Sequence, residues 1–201
     1  MYIRISMITA LTALTLLVGC ASTHLVDTWS APDLTPSDLQ FKNVVAIALV
    51  ADGTQQRIIE EALAENATRT KVTPAYALLT DADRANTDRM RKKLEGYGID
   101  GVIAVRLVSL EDKETYVPGT TTSYGSGYYG YYDRFGTVIY EPGYYRTDTY
   151  VKVETSLYDV AGGKLLWAGV SETLNPSSVN GLIKDIVEAA RKRLREQELL
   201  P

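Results

Sequence analysis

The sequence predicts a single two-layer α/β (α+β) domain, with helices packed on a mixed sheet and one long loop rich in tyrosine and glycine. Three observations predict it. Short, almost wholly apolar runs at 44–50 and 99–108 are typical of buried strands, segments with helical periodicity lie between and after them, and the chain after Tyr150 alternates between apolar and polar residues. About 182 residues follow the predicted signal segment, which is enough for one hydrophobic core.

Residues 1–19 have the composition of a secretory signal peptide. Arg4 precedes the mostly apolar run Ile5–Val18, and a small residue separates this run from Cys20. The apolar run has about 14 residues, fewer than the roughly 20 that a membrane-spanning helix needs. We therefore expect this segment to direct export and to be removed.

The stretch Leu17-Val18-Gly19-Cys20 resembles the lipobox of bacterial lipoproteins. The resemblance implies cleavage after Gly19 and acyl chains on Cys20 that anchor the protein in a membrane. Cys20 is the only cysteine, and lipid attachment accounts for an unpaired thiol in an exported protein. The alternative is an ordinary signal peptide with an incidental cysteine. Because Ala21 and not an aspartate follows, resemblance to known sorting rules favours the outer membrane, with the domain facing the periplasm.

Residues 20–42 are expected to form a lipidated tether that holds the domain off the membrane. They are polar, contain Pro32 and Pro36, and show no sustained period of 2 or 3.6. Trp29 is an aromatic residue within this segment. Two interpretations stay open: it packs back on the edge of the domain, or it contacts the lipid headgroups.

The α/β domain itself spans residues 43–201. A buried strand over Val44–Val50 is followed by a helix, and then by an extended piece over Val72–Ala77 in which Pro74 marks an edge strand or a loop. The helix is expected to bury Ile58, Ile59, Ala62, Leu63 and Ala67, and to expose Arg57, Glu60, Glu61 and Glu65.

A second helix precedes the predicted central strand. Asp81, Asp83 or Thr87 is expected to cap it, and Gly98 to end it. The apolar run 99–108 then forms the central strand, joined to the first by a right-handed crossover. The buried side of the helix is predicted to consist of Met90, Leu94 and Tyr97.

Residues 116–149 form the predicted tyrosine- and glycine-rich excursion; ten of the fourteen tyrosines lie between 116 and 150. Tyrosine offers a large contact area with few torsions and a polar tip, so this loop is a candidate surface for an envelope protein, a glycan or the membrane interface. The alternative is a solvated low-complexity loop with tyrosines partly laid over the sheet edge. The candidate binding residues are Tyr124, Tyr128, Tyr129, Tyr131, Tyr132, Tyr144 and Tyr145.

The last part of the chain predicts a hairpin and a helix. Residues 151–157 alternate as a strand with one wet face, the turn lies at 161–164, and the partner strand at 165–174. Pro176-Ser177-Ser178 opens the final helix. Its apolar stripe consists of Val179, Leu182, Ile183, Ile186, Val187, Ala190 and Leu194.

The sequence offers little for catalysis or cofactor binding. His24 is the only histidine and Cys20 the only cysteine, so a Ser-His-Asp or Cys-His site and a zinc site of the usual type are excluded. A net charge of about −5 after signal removal argues against nucleic acid as a partner. The G-x-G-x-x-G match at 125–130 is not followed by a helical pattern, and Asp81 with Asp83 fits caps better than calcium ligands. We therefore assign no catalytic residue, metal or cofactor.

Four motifs carry a resemblance to bacterial lipoproteins with a small α/β domain: Trp29, 98–102, 116–119 and 165–169. The element order is also similar to the TolB N-terminal domain and the curli secretion lipoprotein CsgG, which serve envelope assembly and transport. The tyrosine-rich loop and the lack of a recognisable catalytic site favour a non-enzymatic binding or assembly module. The alternatives are a hydrolase that acts on envelope polymers through acidic residues, and a structural protein that self-associates through the hairpin or the loop.

Overall fold

The protein is described here by a computed structural model, which covers residues 22–123 and 138–201. The helices are α1 (Gly53–Glu65), α2 (Asp81–Arg84), α3 (Thr87–Gly96) and α4 (Val179–Glu196). The strands are β1 (Ser22–Ser30), β2 (Asn43–Leu49), β3 (Lys71–Pro74), β4 (Gly101–Val117), β5 (Thr120–Ser123), β6 (Val138–Glu141), β7 (Tyr144–Asp159) and β8 (Leu165–Leu174). None of the helices in the described ranges has the length and apolar content of a membrane span.

The predicted fold class is confirmed: a mixed six-stranded sheet, in the order β1-β8-β7-β4-β2-β3, carries the four helices. β2 runs parallel to both β3 and β4, and the other neighbours are antiparallel. β4 is therefore the central strand that the apolar run predicts. β3 is the edge strand expected near Pro74.

The main core lies between the sheet and the layer formed by α1 and α4. Ala46, Val105 and Val153 come from three adjacent strands, and Leu63 and Ile186 cover them from the two helices. The hairpin turn lies where the sequence predicts it, and so does the apolar stripe of α4, except that Val179 at the start of the helix is exposed. Ser178 caps α4 by accepting a hydrogen bond from the Gly181 amide.

On the opposite face of the sheet, the described residues form a second core cluster at the β2–β4 end. Val45 and Val102, which alternate with the main-core residues, pack with Leu94 of α3 and Ala75. Gly98 ends α3 at a positive φ of 67°, as expected for a helix stop.

The predicted tether is wrong for residues 22–30, because they form β1, an edge strand paired antiparallel with β8. The register shifts between Leu25 and Asp27, so Val26 is an extra residue in the strand. This bulge breaks the inward–outward alternation, which explains why the segment shows no period of 2. Leu25 packs into the core cluster around Trp167, while Trp29 is half-exposed on the edge strand.

The prediction that α1 exposes Glu60 is also wrong, because this residue is fully buried. Its carboxylate accepts hydrogen bonds from the Tyr76 amide at 2.8 Å and from the Arg84 guanidinium at 3.2 Å. Glu60 therefore faces the connection to α2 instead of water, whereas Arg57, Glu61 and Glu65 are exposed as predicted. Ile58, predicted to be buried, is half-exposed.

The second predicted helix is split in two, and its caps differ from those expected. Thr80 caps α2, with Asp83 completing a capping box, and Asn86 caps α3. The Lys93 ammonium, 2.6 Å from the Asp83 carboxylate, and the Thr80 hydrogen bonds hold the pKa of Asp83 well below its usual range. Tyr97, expected on the buried side, is exposed.

Candidate functional site

The predicted long loop begins and ends as strands. β4 and β7 continue past the rest of the sheet, with pairs from Glu111↔Tyr150 to Val117↔Tyr144. β8 pairs with β7 only from Tyr150 onward, and β2 pairs with β4 only as far as Arg106. Beyond them β5 and β6 add a further two-stranded piece. We call residues 111–123 and 138–150 the tyrosine arm.

The tyrosine arm contains a paired break between its two pieces. Pro118-Gly119 and Pro142-Gly143 lie between the last β4–β7 pair and the first β5–β6 pair, opposite each other. A Cβ on Gly119 would lie 2.5 Å from the Glu141 carbonyl oxygen, so the backbones approach more closely than a side chain allows. The underlying Tyr-x-Pro-Gly repeat, at 116–119 and 140–143, is visible in the sequence and was missed.

The arm exposes tyrosines along its described length. The exposed fractions are 55% for Tyr116, 68% for Tyr140, 59% for Tyr144 and 72% for Tyr145. Tyr116 and Tyr145 are cross-strand partners, with ring centroids 5.2 Å apart. Of the predicted contact residues, Tyr144 and Tyr145 thus lie on the arm. Those outside the described residues are Tyr124, Tyr128, Tyr129, Tyr131 and Tyr132, and the same holds for Gly19, the predicted cleavage residue, and Cys20, the predicted lipidation site.

A polar joint connects the arm to the sheet where β8 ends. Asn175, at a positive φ of 48°, donates its amide N–H to the Thr149 carbonyl and accepts the Thr149 amide N–H at its side-chain oxygen, both at 2.8 Å. The Asn175 side chain also donates to the buried Asp148 carboxylate at 2.9 Å, and Arg146 pairs with the same carboxylate. The Asn175 hydrogen bond and the Arg146 charge lower the pKa of Asp148.

The start of β1 and the base of the arm lie at the same end of the sheet. Ser22 pairs with Leu174, Leu174 with Tyr150, and Tyr150 with Glu111. These four residues form one row across the strands β1, β8, β7 and β4. β4 and β7 continue beyond this row as the arm, and Cys20 precedes Ser22 by two residues.

A polar groove lies between β1 and α4, with a volume of about 770 Å³. Its carboxylates are Asp27, Asp185, Glu188 and Glu196, accompanied by Lys192, Arg193 and His24. Within residues 22–123 and 138–201, no group of three or more histidine, cysteine or acidic residues is arranged to hold a metal ion. This groove is where an acid-dependent hydrolase would have its site.

A smaller, mostly apolar cavity of about 180 Å³ lies under α4, lined among others by Leu63, Trp167 and Val187. Thr155 also lines it, and the buried Thr155 hydroxyl has no hydrogen-bond partner in the described part of the chain. Arg191 stands at its edge. Burial there, with the nearby Arg195 charge, lowers the pKa of the Arg191 guanidinium, which donates to the Asn66 carbonyl at 2.7 Å.

Comparison with known proteins gives distant structural similarities. No protein-family model matches the chain, and no curated protein matches it in sequence. A PelC dodecamer from Paraburkholderia phytofirmans is similar at 14% identity and a TM-score of 0.45, over 84% of this chain and 94% of that chain. The lipoprotein GNA1162 from Neisseria meningitidis is similar at 18% identity and a TM-score of 0.38, over 77% of this chain and 99% of that chain. At these identities and TM-scores the similarity supports no inference about function.

Proposed function

We propose that this protein is a lipid-anchored lipoprotein of the bacterial outer membrane that acts as a non-enzymatic binding or assembly module, with the tyrosine arm as its contact surface. The lipobox-like stretch that ends at Cys20 supports the anchor. The single observation that carries the proposal is the row from Ser22 to Glu111, in which β1 begins at the same end of the sheet as the base of the arm. The proposed anchor, Cys20, precedes Ser22 by two residues in the sequence.

The construction of the arm supports a role in contact. A two-stranded ribbon alone is marginally stable in water, because each strand has a neighbour on one side only. This ribbon nevertheless exposes at least four tyrosines and is fixed to the sheet by the Asn175 joint. Aromatic side chains with a polar tip are enriched where proteins bind partners.

The acidic groove between β1 and α4 supports the alternative, a hydrolase that acts on envelope polymers. Carboxylates in a groove are the residue type that such chemistry uses. The groove lies beside α4, whereas the arm extends from β4 and β7. The two candidate surfaces can therefore be altered separately.

The experiment is in-cell crosslinking and co-purification of the lipidated protein. One variant replaces 118–143 with a two-residue Gly-Ser turn between Val117 and Tyr144, which are register partners. A second variant keeps the chain length and changes Tyr144 and Tyr145 to serine. The matched control changes the groove by Asp185→Asn and Glu188→Gln.

We expect both arm variants to lose specific crosslinks while the groove control keeps them. Circular dichroism of each variant verifies that the sheet and helices remain. If the groove control loses the crosslinks and the arm variants keep them, the arm is not the contact surface, and the groove becomes the place to look for activity.

A further inference from the structure

We infer that the tyrosine arm binds the interfacial region of the bilayer that holds the lipid anchor, so that the domain is attached at two points. This inference rests on the proposed function, because it names the partner of the same surface. The relevant residues are the four exposed tyrosines: Tyr116, Tyr140, Tyr144 and Tyr145.

The first step is the distance from the anchor to the sheet. Only Ala21 separates Cys20 from Ser22, and two residues of chain span at most about 7 Å. A lipid on Cys20 therefore brings the bilayer surface close to the row Ser22–Leu174–Tyr150–Glu111. No polar tether separates the domain from the membrane, since β1 begins at Ser22.

The second step is the reach of the arm. From β1 to β4 there are three strand spacings, which is about 14 Å across the sheet. From Glu111 to Val117 the arm continues for six residues beyond the row, or about 20 Å, before β5 and β6 add to it. An arm of this length, leaving the end of the sheet that faces the anchor, must lie along the bilayer surface or enter it.

The third step is the chemistry of the arm. Tyrosine is favoured at the headgroup level of membranes, because its ring is apolar and its hydroxyl is hydrated. In the described stretches 115–123 and 138–146, Glu141 and Arg146 are the only charged residues, and their charges cancel. The exposed Leu110 adds an apolar side chain next to the row. This composition suits an interface that is neither fully apolar nor highly charged.

The charges at the base of the tyrosine arm indicate which lipid headgroups it should bind. Glu111, Asp112 and Glu114 outnumber Lys113 there, so the base of the arm is acidic. An anionic lipid surface repels such a segment. We therefore expect binding to zwitterionic bilayers, weakened and not strengthened by anionic lipid.

The test uses the fact that acylation consumes the one cysteine of the chain. A single new thiol, Tyr140→Cys or Tyr145→Cys, carries an environment-sensitive fluorophore on the lipidated full chain. The protein is reconstituted into phosphatidylcholine vesicles with brominated acyl chains near the headgroup. The matched control is Lys164→Cys in the β7–β8 turn, at the opposite end of the sheet.

We expect severalfold stronger quenching of the arm probes than of the Lys164 probe, and weaker quenching when phosphatidylglycerol is added. Equal, low quenching at all positions overturns the inference. If that occurs while arm variants still lose crosslinks in cells, the arm binds a protein or glycan and the proposed function stands. If the arm variants also keep their crosslinks, both proposals fail.

Discussion

The same two strands, β4 and β7, behave differently on the two sides of the row that contains Glu111 and Tyr150. On one side, each has neighbours in the sheet, and Val105 and Val153 are buried under α1 and α4. On the other side they form the tyrosine arm, with Asp148 as the buried exception. Strand propensity is therefore shared by both halves, whereas burial is restricted to one. The free energy of unfolding should reside in the sheet, and the arm should open locally.

The largest expected effect tests this division in the core. Ile186→Ala removes a fully buried side chain of α4 and should lower the free energy of unfolding by about 2–5 kcal/mol. The counterpart in the arm, Tyr145→Ala, removes an exposed ring and should lower it by less than about 1 kcal/mol. Urea unfolding followed by tryptophan fluorescence measures both. An equal loss for the two variants would show that arm and core unfold as one unit.

A local effect is expected at the paired break. Gly119→Ala places a Cβ against the Glu141 carbonyl, so β5 and β6 should separate while global stability stays unchanged. Hydrogen exchange should become faster at 120–123 and 138–141 but not in β8. Gly96→Ala in α3 is the control, because its added Cβ meets no atom within 4 Å. Unchanged exchange in the Gly119 variant would mean that the break tolerates a side chain.

A smaller effect is expected from pH at the joint. The pKa of Asp148 is lowered in the folded state by the Asn175 hydrogen bond and the Arg146 charge, so its contribution is present above the ordinary value of 3.8. The contribution is lost as the pH falls below 3.8 through the lowered pKa. Asp148→Asn should flatten the acid side of a stability–pH curve from urea unfolding.

The smallest effect is expected in the apolar cavity. Thr155→Val removes a buried hydroxyl that has no partner in the described part of the chain, and should raise the free energy of unfolding by up to about 1 kcal/mol. Ser171→Ala is the contrast, since its buried hydroxyl donates to the Val153 carbonyl at 3.1 Å. That change should cost about 1 kcal/mol. Thermal unfolding measures whether each variant gains or loses stability. A loss of stability in Thr155→Val would contradict the finding that the Thr155 hydroxyl lacks a partner in the described part of the chain.

Much of the packed half follows from the sequence. The stripe on α4 and the alternation in β7 are periodic because each element buries one side against the same core. The errors arise where a local feature disturbs the period. In β1 the bulge at Val26 interrupts the alternation. In α1 the Glu60 carboxylate is buried because the fold brings the Arg84 guanidinium and the Tyr76 amide within hydrogen-bond distance of it.

The arm was harder to predict, for a related physical reason. The high glycine and tyrosine content predicts that this segment has no packed core, and the structure agrees. A ribbon that buries few side chains shows no apolar–polar alternation, so its strands cannot be recognised from the sequence. The register of its β4–β7 part depends on partners 27 or more residues apart, such as Val117 and Tyr144 next to the break. The repeated Tyr-x-Pro-Gly was the one sequence signal for the paired break in the arm. That Glu111 and Ser22 lie in one row across the sheet follows only from the register of three strand pairs, which the sequence does not reveal.

The position of β1 also determines how the domain responds to mechanical load. If Cys20 carries the proposed lipid, a force that draws the domain away from the membrane acts on the start of β1, two residues along the chain. β1 is joined to β8 by eight register pairs, from Ser22↔Leu174 to Ser30↔Trp167. Tension along the axis loads these pairs together in shear, whereas a perpendicular pull would open them one after another. Under the proposed anchoring, β1 would therefore be the element through which a pull on the lipid reaches the sheet.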